Sequence, residues 1–103
     1  MQDVDQLFLL KLGFKDPAYP GKTFYCWHCA LMEGVLSSFP ELAGRLEVQR
    51  ISWPRPRQEL VDLLGEAHQS LPVLVLAEGG FIDDKDAILA ALTERHGFPH
   101  PHP

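Results

Sequence analysis

No apolar run in the 103-residue chain approaches the roughly 20 residues that a membrane span requires, which argues against a bilayer-crossing helix. Basic residues are scarce: nine Lys and Arg stand against fourteen Asp and Glu, a formal charge of −5. A general nucleic-acid binder needs a basic face to release counterions, so that class is set aside. Only two cysteines are present, Cys26 and Cys29. The start, Met1-Gln2-Asp3-Val4-Asp5, is acidic and lacks the basic-then-apolar order of a signal peptide, so the expected location is cytoplasmic. In a reducing compartment, two cysteines two residues apart point to redox chemistry or metal binding before a structural staple. Internal repeats and long low-complexity tracts are also missing. A hydrophobic fraction of 46% and a charged fraction of 22% fit one globular domain over residues 1–103.

What is there centres on Phe24-Tyr25-Cys26-Trp27-His28-Cys29. A two-residue spacer lets both thiols sit on the first turn of a helix and close into a small, reducible ring. That turn carries unpaired N–H groups and the positive end of the helix dipole. A thiolate placed there is stabilised and is a nucleophile at neutral pH. His28 can add positive charge beside it. Leu31, Met32, Val35, Leu36 and Phe39 recur at helical spacing, and Pro40 ends the run, so a helix is expected over about 26–39.

Leu7 to Leu12 reads as a fully buried strand ended by Gly13. Residues 13–25 hold Pro17, Pro20 and Gly21 with neither period, a long loop of the kind that is often functional. A short helical turn at Glu41-Leu42-Ala43 precedes a strand over 46–53, whose mixed parity predicts a bulge or burial on both faces. A helix carrying Leu60, Val61, Leu63 and Leu64 ends at Gly65. Leu71 to Leu76 is the third strand, and Glu78-Gly79-Gly80 turns into Phe81-Ile82. Asp83 or Asp84 caps a last helix with Ala87, Ile88, Ala91 and Leu92 inward and Gly97 as its stop. The expected class is α/β, in the order β-α-β-α-β-β-α, with a four-stranded mixed sheet and helices on both faces. Residues 97–103, rich in His and Pro, read as a flexible tail, and His96 and His100 as part of that end before metal ligands.

A strand, a Cys-x-x-Cys at a helix start and a later Leu71-Pro72-Val73 opening a hairpin resemble the thioredoxin fold. Leu71 to Val75, Gly79 to Asp84 and Asp86 to Leu89 are similar to glutaredoxins and to the N-terminal domain of glutathione transferases. The chain also resembles a small bacterial family of thioredoxin-like proteins of unknown function, on the stretch Phe24 to Ala30. The resemblance implies a cis Pro72 beside the cysteines and a Leu71 backbone able to pair with a partner peptide or glutathione. It places Asp83 and Asp84 where relatives hold the γ-glutamyl end of glutathione, against plain N-capping as the alternative. Two departures stand out. The connection before the cysteines is much longer than in thioredoxins, and Trp27-His28 replaces their Gly-Pro and the glutaredoxins' Pro-Tyr.

The chemistry expected is thiol–disulfide exchange with Cys26 attacking and Cys29 resolving, His28 beside them, and glutathione or protein thiols and disulfides as partners. No tightly bound cofactor is implied. Trp27 and Tyr25 are expected to line the site. Arg57, leaving the second strand on the cysteine side, could clamp a glutathione carboxylate or favour the Cys26 thiolate, against a solvated surface arginine as the bland reading. The competing class is a non-catalytic binding or redox-sensing module with structural cysteines, its partner surface on the 13–25 loop. Oligomeric state is not legible.

Overall fold

The computed structural model describes residues 4–103; the start Met1-Gln2-Asp3 lies outside the described residues. The elements are β1 (Gln6–Leu10), α1 (Trp27–Ser38), α2 (Pro40–Ala43), β2 (Glu47–Ile51), α3 (Gln58–Leu64), β3 (Val73–Val75), β4 (Phe81–Ile82) and α4 (Lys85–His96). They form one four-stranded sheet in the order β2-β1-β3-β4. β1 is parallel to β2 and antiparallel to β3, and β3 is antiparallel to β4. This is the mixed α/β class expected.

Strand β1 is the axis because its apolar run has no polar face to turn outward. Leu7 and Leu9 meet Met32 and Leu36 of α1 and Ile88 and Leu92 of α4 on one side of the sheet. Phe8 points the other way and packs with Ile51, Leu60 of α3, Val73 and Val75. Helices therefore cover both faces. Each fully enclosed apolar side chain of this kind contributes roughly 1.5–3 kcal/mol relative to an exposed one.

Four expectations need correcting or narrowing. Strand β2 is an edge strand with unbroken pairing from Gln6↔Glu47 to Leu10↔Ile51, so it holds no bulge against β1. Its Val48 packs on the α1 side and its Ile51 on the α3 side, so burial on both faces is present, while Glu47 and Arg50 are exposed, as suits an edge that must not recruit another strand. The 13–25 loop is not shapeless: Phe14 and Phe24 bridge antiparallel, with N–H···O distances of 2.9 and 2.7 Å. The excursion between them closes on itself as an Ω-like loop. Helix faces are narrower than the periodicity implied, since Leu31, Leu63 and Ala87 are exposed. Finally, the tail is anchored at its start. Phe98 is buried in the main core and meets the Phe39 ring edge-on, 6.3 Å between centroids.

Asp84 N-caps α4 by accepting the Ala87 N–H at 2.9 Å, and Gly97 ends it in the left-handed region at φ 77°. The Leu71-Pro72 peptide is cis, and so is Arg55-Pro56.

Candidate functional site

The carboxyl end of β1 delivers the chain to one end of the sheet, and α1 starts there on its way back. Cys26 is the N-cap of α1, and its Sγ accepts the Cys29 N–H at 3.3 Å. One of the orphan donors of the first turn is thus aimed at the first sulfur, as a thiolate requires. Cys26 is partly exposed; Cys29, one turn deeper, is enclosed in the core. Its Sγ accepts the Leu10 N–H at 3.3 Å, tying the second thiol to the end of β1. Both cysteines are free thiols.

Burial pushes the Cys29 thiol up to about 12, with the neighbouring Cys26 adding to the rise and the Leu10 N–H opposing it. The two sulfurs are therefore chemically unequal. In the native protein, iodoacetamide at pH 7–8 is expected to label one thiol, Cys26, with the second appearing only on unfolding. Peptide mapping after labelling checks this, and equal labelling of both sites would contradict the inequality.

Leu71-Pro72 lies at the same end of the sheet. β3 pairs with β1 through Phe8↔Val73, and continuing that register by two residues brings Leu71 beside Leu10, the donor to Cys29. Leu71 and Cys26 pack against the same core cluster, and Pro72 is buried. The start of α4 also reaches this end, since Lys85 Nζ stands 5.5 Å from the Trp27 ring centroid. Lys85 was not singled out by its sequence context. Its lone position between aspartates carries no periodic or motif signal. Asp83 is exposed near it, and Asp84 is committed to its cap.

Trp27 and Tyr25 flank Cys26 and are 65% and 64% exposed, large apolar surfaces left in solvent. The His28 ring lies 3.8 Å from the Trp27 ring, centroid to centroid, and is partly buried. Among the described residues no three His, Cys, Asp or Glu side chains converge on a common metal position.

Arg57 departs from the bland reading of the sequence. It is buried, not solvated, and most of its fork is engaged. Its Nε and Nη2 donate to the Trp53 carbonyl at 3.0 and 2.8 Å, and its Nη1 to the Gln69 carbonyl at 2.7 Å. Its own N–H donates to Gln69 Oε1 at 2.7 Å. The guanidinium thus clamps the loop after β2 to the loop before β3 and has carbonyls, not a carboxylate, as partners. Burial, then Arg55, pulls its pKa below the usual arginine value, and Cys29 and Cys26 oppose that pull, so the cation and the thiols share one field. The fork is turned to the Trp53 and Gln69 carbonyls.

Sequence reasoning missed a second polar cluster at the opposite end of the sheet. Asp5 is buried and accepts from Arg95 Nε and Nη2 at 2.7 and 2.8 Å, from Ala77 N–H at 2.8 Å, and meets His96 Nε2 at 2.7 Å. His96 is thus a structural partner of Asp5 rather than part of a loose end. Glu33 pairs with Arg50 across α1 and β2 at 2.7 Å.

No helix among the described residues is long and apolar enough to cross a membrane. No curated protein and no solved structure matches the chain. Residues 4–100 match the family described as "Protein of unknown function (DUF3088)", and the chain belongs to that family.

Proposed function

We propose that the protein is a cytoplasmic thiol–disulfide oxidoreductase of the thioredoxin-like superfamily, with Cys26 as nucleophile and Cys29 as resolving thiol. The observation that carries the reading is the inequality of the pair: Cys26 caps a helix at the surface, and Cys29 is enclosed one turn below it. In the first step the Cys26 thiolate attacks one sulfur of a partner disulfide. A Cys26–partner disulfide forms, the partner's own disulfide breaks, and a partner thiolate leaves. In the second step the Cys29 sulfur attacks Cys26 Sγ. The Cys26–Cys29 bond forms, and the departing partner sulfur takes the Cys29 proton. The partner disulfide is reduced by two electrons and the protein dithiol is oxidised by two. Two molecules of glutathione would return it to the dithiol, leaving as glutathione disulfide.

Leu71, beside the buried Pro72, supports the reading by offering backbone next to the thiols for strand-like pairing with the partner. The Arg57 cation, which interacts electrostatically with both thiols, supplies positive charge on their side. Asp83 remains available for the amine of a bound thiol such as glutathione. The exposed Tyr25 and Trp27 favour, as a second reading, a binding module whose cysteines never cycle.

The two readings separate on the reduction potential of the Cys26–Cys29 pair. Titration in glutathione redox buffers, followed by tryptophan fluorescence, is expected to give a reversible transition between about −120 and −270 mV. No disulfide across that range, or one resistant below about −300 mV, would leave the binding module as the function.

A further inference from the structure

The basic residues of this acidic chain are not spread evenly. Residues 11–28 and 52–58 hold five of the nine Lys and Arg, namely Lys11, Lys15, Lys22, Arg55 and Arg57, and one of the fourteen acids, Asp16. Both stretches lie at the end of the sheet where β1 and β2 finish, held together by the Lys11 N–H donating to the Ile51 carbonyl at 2.8 Å. Asp16 is turned to its own loop, where its Oδ1 accepts the Ala18 N–H at 2.9 Å. Among the described residues neither Lys11 nor Lys15 has a carboxylate within 4.0 Å, and both are exposed.

Between these stretches lies a cleft of about 330 Å³ lined by residues 11–15 and 52–54, among them Lys11, Phe14, Lys15 and Trp53. The Phe14 and Trp53 rings stack in its wall, 5.4 Å between centroids and 6° from parallel. The cleft lies at the same end of the sheet as Cys26. Phe14 bridges Phe24, which precedes Cys26 by two residues, an extended reach of roughly 7 Å. Phe14, Trp53 and Cys26 pack against the same core cluster. A rigid aromatic wall with two unpaired ammonium groups at its lip suits the stem and carboxylate of an acidic side chain. Across the thiols the start of α4 carries Asp83, Asp84 and Asp86 and opposes an acidic group on that side.

We infer that the substrate of the Cys26 site is a cysteine in an acidic polypeptide segment, with a Glu or Asp flanking that cysteine seated in the Lys11–Lys15 cleft. This rests on the oxidoreductase reading and adds its substrate class. Charge complementarity argues for it: the loop side of the thiols carries the unpaired lysines, and the α4 side, with three aspartates around Lys85, disfavours an acidic group.

The test uses the Cys29→Ser full-length protein, so that only the first exchange is observed. Its substrates are disulfide dimers of five-residue capped peptides with a central cysteine flanked by Glu, Gln or Lys, together with hydroxyethyl disulfide and oxidised glutathione. The Glu peptide is expected to react about tenfold faster than the Gln peptide, and the Lys peptide slowest. At 0.5 M NaCl the ratio should shrink towards one, as screening requires for exposed charges. In the same background, Lys11→Gln with Lys15→Gln should bring the Glu-to-Gln ratio, taken within the variant, below about two. A ratio near one in the starting protein, or one that survives the double substitution, overturns the cleft. Oxidised glutathione outrunning the Glu peptide assigns the site to the tripeptide and overturns the polypeptide substrate. Reaction with the neutral disulfide but without charge preference removes this inference and leaves the oxidoreductase reading standing. No reaction with any disulfide removes both.

Discussion

Substituting Cys29 by serine is expected to convert the protein into a covalent trap, whereas Cys26→Ser should leave it inert towards disulfides. The asymmetry follows from where each sulfur sits. Cys26 caps α1 at the surface, flanked by the exposed Tyr25 and Trp27, so a partner disulfide can reach it. Once the mixed disulfide forms, the only sulfur placed to displace the partner is Cys29, one helical turn below. Without that sulfur the adduct persists until an external thiol removes it. In Cys26→Ser the remaining thiol is enclosed, bonded to the Leu10 N–H, and held in the protonated form by burial. Neither access nor charge favours attack, so exchange should fall to the rate of the buffer alone. The measurement is non-reducing mass spectrometry of each variant after incubation with a disulfide peptide. Equal adduct formation by both variants would contradict the assigned order, and none by either would contradict exchange at this site.

The parts of this site that were legible in the sequence are those built from short stretches. A Cys-x-x-Cys followed by a helical apolar stripe placed both thiols on the first turn of α1. Leu71-Pro72-Val73 opened a strand, and Asp84 and Gly97 bounded α4. Each of these depends on residues within a turn or a hairpin of one another. The order of strands and helices could be read for the same reason, as one apolar run or one helical period at a time. What was not legible depends on residues far apart in the chain. Arg57 looked solvated because two prolines closely precede it, yet the Trp53 and Gln69 carbonyls, brought together by the α3 connection, take its donors. The Phe14–Phe24 bridge has no periodic signal because a single pair of residues makes it. Phe98 follows a helix stop and precedes a Pro-rich end, so its neighbours imply solvent, while the gap between α1 and α4 needs its ring. Lys85 over Trp27 likewise joins two helix starts that only the fold makes neighbours.

The Asp5 cluster is the extreme of that class, with partners 72 to 91 positions away, and it carries the largest expected effect on stability. Asp5 leaves the front of β1 at 2% exposure with three kinds of donor around its carboxylate: the Arg95 fork, the Ala77 N–H and His96 Nε2. These close the end of the sheet by joining β1, the β3–β4 turn and the last turn of α4. Arg95 also grips Glu78 at 2.6 Å, but that carboxylate is largely exposed, so solvent screening leaves the Asp5 contact as the stronger one. Asp5→Ala would strand a partly buried guanidinium and a backbone N–H, and is expected to cost about 3 kcal/mol in urea unfolding at pH 7. The Arg95 guanidinium, followed by the Ala77 N–H and His96, holds the Asp5 carboxyl well below the usual carboxylate range against the opposing effect of burial. The unfolded chain then takes up a proton near pH 4 while the folded chain does not. Stability from this group is therefore complete above about pH 4 and is lost as pH falls from there towards the folded value. Wild type and Asp5→Ala should differ most at neutral pH and converge as the solution is acidified below about pH 3. A constant difference down to pH 2 would mean that packing, not the charge of Asp5, fastens α4 to the sheet.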